Sequence, residues 1–495
     1  MAGSSHTLRF MLDGARVSVT EPHPTTTVLD YLRDTGRRGT KEGCAEGDCG
    51  ACTVVLGERD AANRRVIYRA VNSCIRFLPT LDGRELITVE SLRQPSGELH
   101  PVQQSMVDNH ASQCGFCTPG FVMSLFALYL NRSGAEREHV LEALAGNLCR
   151  CTGYRPIIDA GMRQWSYPAP LNWSREESQS AARLEGLDSV SRDGGRGASL
   201  DYAGYWAPRS LEELAGALDA QPDAVLLAGG TDVGLWVTKQ LRELPALVYL
   251  GDVPELSRIE ARAHELMIGA AVTLTDAWPA LTQRFPALQE QAARFASPPI
   301  RNSATLCGNL ANGSPIGDSI PVMLALGAEL ELRRGADVRR VALEDFYLGY
   351  MKNALRKGEF VSAVAIPLPA DAQVLASYKV SKRIDQDISA VCATFCIRVA
   401  GEQVLGARLA FGGLAGIASR AHHAERALAA HGWSLAGVEA ASAALASDFK
   451  PLSDLRASSA YRLRAAGNLL RRCFLEAQRK PIAMRTHDAL QGAPP

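Results

Sequence analysis

The sequence predicts a multidomain α+β chain built around two cysteine-rich segments and a later α/β block with glycine-rich loops. Three observations carry this expectation. The chain has 495 residues, more than one hydrophobic core usually organises. Eight of its 12 cysteines fall within the first 151 residues, as Cys44-x4-Cys49-x2-Cys52 with Cys74, and as Cys114-x2-Cys117 with Cys149-x-Cys151. The hydrophobic period also changes along the chain, from two, to helical spacing, to strands ending in glycine-rich turns.

Composition narrows the class. With 46% hydrophobic and 21% charged residues the chain reads as globular protein. Lys+Arg and Asp+Glu both number 53, so the formal net charge is zero and no electrostatic case for nucleic acid arises. Met1 to His6 shows no basic region followed by an apolar core, which predicts no secretory signal. The most apolar stretch, Phe121 to Leu130, is too short to cross a bilayer. A soluble cytoplasmic protein is expected, and in that reducing compartment cysteine clusters favour metal over disulfides.

Taken in order, residues 7 to 19 alternate as strands around an Asp13-Gly14 turn, and Thr27 to Asp34 forms a short helix with Val28, Leu29 and Leu32 inward. Thr53 to Leu56 and Ile67 to Val71 resume the strand pattern, closing a small mixed unit near Leu92. From Pro101 the spacing is helical. Pro119 starts one helix, Glu136 to Leu144 forms another, and a third begins at Pro156, so the second cysteine group lies at helix ends. Residues 166–200, rich in Ser, Gly, Pro and charge, read as a linker or a loop crossing the surface. Ser210-Leu211-Glu212-Glu213 is a capping box, followed by a buried-strand run, Val225-Leu226-Leu227. A final α+β segment spans Tyr378 to Glu476. The predicted boundaries are 1–93, 94–165, the linker 166–200, 201–370, 371–480 and a tail at 481–495.

A plant-type [2Fe–2S] site takes three thiolates from one Cys-x4-Cys-x2-Cys loop and a distant fourth, the pattern of Cys44, Cys49, Cys52 and Cys74. Gly43, Gly47 and Gly50 let the backbone wrap closely and aim amides at sulfur. Zinc sites usually show Cys-x2-Cys pairs on both sides, so three ligands on one loop favour a cluster. On spacing alone Cys114, Cys117, Cys149 and Cys151 form a metal site whose metal stays open. Zinc competes there, although Cys-x-Cys and the long gap count against it.

The strand running into Ala228-Gly229-Gly230-Thr231-Asp232 is a phosphate-binding signal, because small residues let backbone amides approach a pyrophosphate. Gly-Gly turns after strands are also common without a ligand. Thr305-Leu306-Cys307-Gly308-Asn309 and Ser314-Pro315-Ile316-Gly317-Asp318 add a second small-residue loop followed by an acid. Two such loops point to a dinucleotide cofactor without naming it. Cys307, Cys392, Cys396 and Cys473 form no ligand set; Cys392 and Cys396 lie in an apolar run and read as core. His422-His423 reads as surface, with no acidic or cysteine partner nearby in sequence.

Gln113-Cys114-Gly115-Phe116-Cys117-Thr118-Pro119-Gly120 and Asn147-Leu148-Cys149-Arg150-Cys151-Thr152-Gly153-Tyr154 resemble the second iron–sulfur domain of the molybdenum hydroxylases. Lys41 to Thr53 resembles their first. The resemblance runs from residue 7 to about 480, apart from the linker. It implies a plant-ferredoxin-like [2Fe–2S] domain, a helical-bundle [2Fe–2S] domain, a two-part α/β FAD-binding domain and a C-terminal α+β flavoprotein domain. It also implies that the helical-domain cluster lies next to a molybdopterin cofactor, bordered by Gln113 and Cys151, and that the plant-type cluster lies nearer the flavin. The glycine-rich loops resemble the family's FAD-binding segments. By that resemblance Leu226, Leu227, Ala228, Gly229, Gly230, Thr231, Asp232 and Val233 would hold the diphosphate together with Thr305, Leu306, Cys307, Gly308 and Asn309. Phe295 would stack on a FAD ring, Asp318 and Lys379 would make polar contacts, and Val361 stands where the family usually has leucine. The stretch Ser381 to Ile388 resembles the mobile loop near the flavin and nicotinamide.

The order of domains resembles the small subunit of the family's bacterial purine-oxidising members. That implies a molybdopterin-binding large subunit as partner, commonly as two heterodimers, with NAD+ as acceptor and no catalytic side chain here beyond flavin redox. The electron-transfer subunit of an aldehyde or other heteroaromatic hydroxylase is the alternative.

Overall fold

The computed structural model describes residues 6–60, 65–94, 96–190, 199–369, 373–384 and 386–478. The chain divides into two compact units. One holds the residues up to Ser257 with Ala271–Thr275 and Ala296–Thr305; the other holds Arg258–Ala270, Asp276–Phe295 and the residues from Leu306.

The first unit opens with the expected hairpin. Thr7–Leu12 pairs antiparallel with Ala15–Thr20, and Asp13 and Gly14 take φ of 52° and 82°, the two-residue turn whose twist matches its strands. The sheet order is Ala15–Thr20, Thr7–Leu12, Glu85–Ile87, Thr53–Arg59, Val66–Asn72, with Thr7–Leu12 and Glu85–Ile87 parallel. The helix Val28–Asp34 is capped by the Thr27 hydroxyl, which accepts from the Asp30 amide at 3.1 Å. Val28 and Leu32 then join Phe10, Val54 and Leu86 in the core.

Four helices follow, Pro101–Asp108, Thr118–Asn131, Arg137–Leu144 and Arg155–Arg163. Proline sits in the first turn of three of them, where its missing N–H leaves no bond unmade. Thr118–Asn131 is apolar on nearly every face and so occupies the centre, with Phe121 and Phe126 packed among Val140 and Ile157. His100 caps the first helix and lies edge-on to Phe126 and Tyr129 at 5.3 and 5.0 Å. Burial among these rings pushes its pKa down to about 4.

The segment expected as a linker is folded. It contains the helices Arg175–Ser178 and Ala181–Val190, and Trp173 is 1% exposed. Its pattern is weak because one residue organises it. The Arg183 guanidinium lies 3.6 Å over the Trp173 ring and reaches Glu177, Asn172 and the buried Glu85. Residues 191–198 lie outside the described residues.

A second, four-stranded sheet has the order Leu200–Tyr202, Tyr205–Ala207, Leu247–Tyr249, Val225–Leu227. Its Tyr205, Leu227 and Leu247 share one core with Leu8 of the first sheet and with Phe77 and Leu81 of the turn before its strand Glu85–Ile87. That shared core groups the residues up to Ser257 with the first unit. Val225–Leu227 is an edge strand of which only Leu227 is buried, so the expected fully buried run is corrected. The capping box is half formed: Ser210 accepts from the Glu213 amide, while the Glu213 carboxylate turns to the Arg209 amide and the Ser199 hydroxyl.

The second unit contains an antiparallel sheet ordered Ile259–Ala261, Glu265–Gly269, Phe360–Pro367, Glu329–Arg334, Asp337–Ala342. A four-stranded antiparallel sheet follows, from Gln373–Val380 through Val391–Ala400 and Gln403–Gly412 to Ser419–Arg420. Phe395, Ile397, Leu409 and Phe411 on one face pack against the helices His422–His431, Leu435–Asp448 and Ser459–Ala477. The helix Ser319–Leu326 covers the opposite face beside Gly412 and Cys392. Among the described residues no helix is long and apolar enough to cross a membrane.

Candidate redox site

The first cysteine loop is shaped by backbone conformations few residues tolerate. Ala45, Gly47 and Gly50 have φ of 54°, 78° and 70°, which turn the chain back on itself around the sulfurs. A Cβ on Gly43 would lie 2.7 Å from Cys49 Sγ. The Cys49 amide points at Cys44 Sγ at 3.3 Å, Cys52 and Cys74 sulfurs are 3.2 Å apart, and the Asn72 amide approaches Cys52 Sγ at 3.8 Å. Cys52 and Cys74 are buried, and Cys44 and Cys49 half-buried.

The second group lies between the helices. Gly115 and Gly153 have φ of 83° and 68° at its two turns. The Thr152 hydroxyl lies 3.1 Å from Cys149 Sγ, and the Cys149 amide donates to the Tyr154 hydroxyl at 3.0 Å. Cys114 and Cys151 are exposed, next to exposed Gln113 and to Phe116 at 50% exposure.

Thiols that touch one another share their charge unequally. Cys44 is lowered because it accepts from Cys49 and Cys74, both of which are raised by donating to it. Cys52 is lowered by the hydrogen bond from Cys74. In the second group burial pushes Cys117 up to about 12. Burial also acts on Cys149, but hydrogen bonds from Thr152 outweigh it and lower that thiol. Cys114 is lowered first by the Phe116 amide, and Cys151 is raised by its bond to Cys114. Each group thus pairs two lowered thiols with two raised ones.

The two loops are bolted together. The Leu148 amide donates to the Cys49 carbonyl at 3.0 Å. Asn147, 3% exposed, donates to the Gly50 carbonyl at 3.0 Å and to Thr53 Oγ1 at 3.2 Å, and accepts from the Ser124 hydroxyl at 2.6 Å. The crossing is tight: a Cβ on Gly120 would lie 2.1 Å from the Gly50 carbonyl oxygen. Sequence reading missed Asn147 as a clamp, since only the fold brings residue 147 to residue 50.

On the other side the first loop meets the first glycine-rich segment. The helix Val233–Thr238 follows Ala228 to Asp232, and the Thr238 hydroxyl donates to the Ala45 carbonyl at 2.8 Å. A Cβ on Gly234 would lie 2.6 Å from the carbonyl oxygen of Ile75, the residue after Cys74. Gly230 has φ of 73°, and a Cβ on Gly229 would lie 1.9 Å from the Ser303 carbonyl oxygen. Leu226 to Val233 thus lie beside Ser303 to Thr305 in the first unit.

Leu306 to Asn309 open the helix Leu306–Asn312 in the second unit, which also holds Phe295, Asp318, Val361 and Lys379. Asp318 and Lys379 are buried and paired at 2.7 Å, and the other Asp318 oxygen accepts from Ser389. Of the three N–H donors on the Lys379 ammonium, one goes to Asp318. Val361 is 6% exposed within its strand, and Cys307 is buried with its thiol up to about 12. Phe295 lies edge-on to Trp278 at 6.1 Å. Arg294, which no sequence signal marked, donates to the Lys379 carbonyl, the Ser381 hydroxyl and the Ile384 carbonyl, tying down the base of the Ser381 to Ile388 turn. Asp385 of that turn lies outside the described residues.

Cys392 is core as expected, but Cys396 is only half-buried and lines a cavity. His422 and His423 are exposed yet partnered, by Glu425 at 3.4 Å and Asp448 at 2.9 Å; the nearby acid three residues on was overlooked.

The four expected blocks each match a family description. A 2Fe-2S iron–sulfur cluster binding domain matches residues 10–76, and a [2Fe-2S] binding domain matches 88–162. The FAD binding domain in molybdopterin dehydrogenase matches 199–369, and the CO dehydrogenase flavoprotein C-terminal domain matches 376–477. The chain belongs to the molybdenum hydroxylase family. Two [2Fe–2S] clusters and FAD are its cofactors. It is 33% identical over 473 residues to a xanthine dehydrogenase of Emericella nidulans, a match covering 85% of this chain and 35% of that one. It is 32% identical over 473 residues to xanthine dehydrogenase 2 of Arabidopsis thaliana, covering 82% and 35%. The chain therefore spans about a third of the length of these relatives. Among solved structures it is similar to CO dehydrogenase from Oligotropha carboxidovorans, with TM-score 0.52, 28% identity, and 55% of this chain and 96% of that one covered. Quinoline 2-oxidoreductase from Pseudomonas putida 86 gives TM-score 0.51 and 29% identity, covering 56% and 98%.

The residues suit these cofactors. Each group supplies four free thiols, with backbone amides and hydroxyls aimed at sulfur. Among the described residues no group of three or more His, Cys, Asp or Glu side chains is arranged to hold a metal ion. Gly229 leaves no room for a Cβ and Gly230 has a positive φ of 73°, so this turn suits the close backbone approach that a diphosphate requires.

Proposed function

We propose that this chain is the iron–sulfur and flavin subunit of a xanthine dehydrogenase. It carries electrons from purine hydroxylation at a molybdopterin-bearing large subunit to NAD+. The observation that supports this most is the unbroken run of contacts from Leu148 and Cys49, through Cys74 and Ile75, to Gly234 and Thr238. When bound, the clusters supply single-electron steps and the flavin gathers two electrons for hydride exchange with NAD+.

The chain's own residues hold and insulate that relay. Cys44, Cys49, Cys52 and Cys74 would hold one cluster, and Cys114, Cys117, Cys149 and Cys151 the other. The Cys49 amide and the Thr152 hydroxyl place positive dipoles against sulfur and so favour extra negative charge there. Burial of Cys52 and Cys74 keeps water from the inner cluster. Exposed Gln113, Cys114 and Cys151 leave the outer one open towards an incoming donor, in the position expected to border the pterin. Backbone amides of Leu226 to Val233 and Thr305 would receive the FAD diphosphate. Within the second unit, Phe295, Asp318 and Lys379 are the residues that the resemblance marks for the flavin. Arg294 holds the Ser381 to Ile388 turn beside them. A cytoplasmic location belongs to the same reading, since all 12 cysteines are free thiols.

The likeness to quinoline 2-oxidoreductase supports a second reading, in which the partner hydroxylates another heteroaromatic ring. The complex isolated with its native large subunit distinguishes them. Xanthine should bleach flavin and cluster absorbance within a turnover, and NADH should bleach the flavin from the other end. Bleaching by quinoline or an aldehyde but not by xanthine selects the second reading. Failure of NADH to reduce the flavin overturns NAD+ as acceptor.

A further inference from the structure

The second unit contains a cavity of about 450 Å³ lined by none of the residues assigned above to a cofactor. It lies on the face of the Val391–Ala400 and Gln403–Gly412 strands opposite the three helices, past the end of the helix Ser319–Leu326. Phe285, Leu326 and Leu368 give it an apolar floor, and Arg398, Arg408 and Arg420 give it a basic wall.

Among the described residues the charges there are unbalanced. Register pairs Cys396 with Arg408 and Arg398 with Gly406, so Arg398 and Arg408 are diagonal neighbours on one sheet face. The third strand contributes Gln373 opposite Arg398, a neutral residue. Arg420 is satisfied by Glu344 and Glu425. Arg398 and Arg408 make no hydrogen bond or ion pair among the described residues, although adjacent like charges on a sheet repel. Arg408 sits close to the carboxyl end of Ser319–Leu326: a Cβ on Gly327 would lie 2.8 Å from its Cζ. If its role were to cap that helix it would donate to a terminal carbonyl, and it does not. The Arg398 guanidinium lies over Gly406, 3.4 Å from where a Cβ would sit, so the glycine lets it lie against the sheet at the cavity wall. Burial raises the Cys396 thiol, and Arg408 and Arg398 oppose that rise, which places both cations within electrostatic reach of the same spot.

We propose that this cavity binds a small organic anion with a flat apolar body, its phosphate or carboxylate gripped by Arg398 and Arg408 and its body resting on Phe285 and Leu326. Planar guanidinium forks suit such oxyanions, and a cavity of this size accepts a mononucleotide-sized ligand.

Cys396 supplies the readout, because Cys307, Cys392 and Cys473 are buried and the other eight cysteines belong to the clusters. The holoprotein is alkylated with iodoacetamide in the presence of AMP, benzoate, inorganic phosphate or adenosine, and modification of Cys396 is followed by mass spectrometry. AMP or benzoate should slow alkylation at least fivefold, with phosphate weaker and adenosine without effect. Arg398→Gln with Arg408→Gln should weaken that protection at least tenfold, while cluster and flavin absorbance stay unchanged and report an intact fold. Arg408→Lys should restore part of it. Protection by adenosine equal to that by AMP, or none by any of the anions, overturns the proposal.

Discussion

Replacing Asn147 by leucine should loosen the joint between the two cysteine loops while nearly conserving volume. Three buried hydrogen bonds disappear, to Gly50 at 3.0 Å, to Thr53 at 3.2 Å and from Ser124 at 2.6 Å. At about 1 kcal/mol net for each, the direct loss is about 3 kcal/mol. The orphaned groups differ in their tolerance. The Gly50 carbonyl keeps the Thr53 amide at 3.1 Å and hydroxyl at 2.7 Å, so it stays satisfied. The Ser124 hydroxyl, 2% exposed, loses its acceptor and adds about 1 kcal/mol. A total of about 4 kcal/mol is a large part of a domain's stability. The assay is urea titration of the holoprotein, followed by cluster absorbance, with paramagnetic spectra of the reduced sample. The midpoint should fall, and the magnetic coupling between the two clusters should weaken because Leu148 no longer holds Cys49 in place. A variant within 1 kcal/mol of wild type by the same estimate, with unchanged coupling, would refute the clamp.

Other perturbations test other joints. Gly229→Ala sets a methyl against the Ser303 carbonyl oxygen, 1.9 Å from the ideal Cβ position. It should cut bound FAD by more than half while iron stays at about four per chain, read as the flavin-to-iron ratio. Arg183→Ala removes the cation over Trp173 and the partner of Glu85, costing about 3 kcal/mol in a thermal or urea melt. Burial holds the Glu85 carboxyl up to about 7, so that cost should be smaller at pH 6, where the group is neutral, than at pH 8. His100 is pushed from 6.5 to about 4, so burial favours its neutral form. The stability tied to this is complete above pH 6.5 and is lost as pH falls toward 4. The loss should reach at most about 3 kcal/mol, and His100→Gln should flatten that limb of the pH profile.

The local chemistry was legible in the sequence because it depends on residues close together along the chain. Cys-x4-Cys-x2-Cys with its glycines, the Asp13-Gly14 turn, the short helix from Thr27 and proline at helix starts each act within a few residues. Each appears in the structure where the pattern put it. The weak places were those where one distant partner overrides a local pattern. Residues 166–190 looked like a linker because their order comes from Trp173 under Arg183 and from Glu85, nearly a hundred residues upstream. Val225–Leu227 looked buried because an apolar run does not reveal that its strand is at a sheet edge.

By itself, then, the sequence determined the two thiol groups and the small-residue loops, since their spacing is written in consecutive positions. Tertiary structure alone decided how those segments are joined. Asn147 reaches Gly50, Thr238 reaches Ala45, and Arg398 and Arg408 come to share a cavity with Cys396. Each of these depends on where a strand or helix packs after long stretches of chain have been placed, and no local period encodes that.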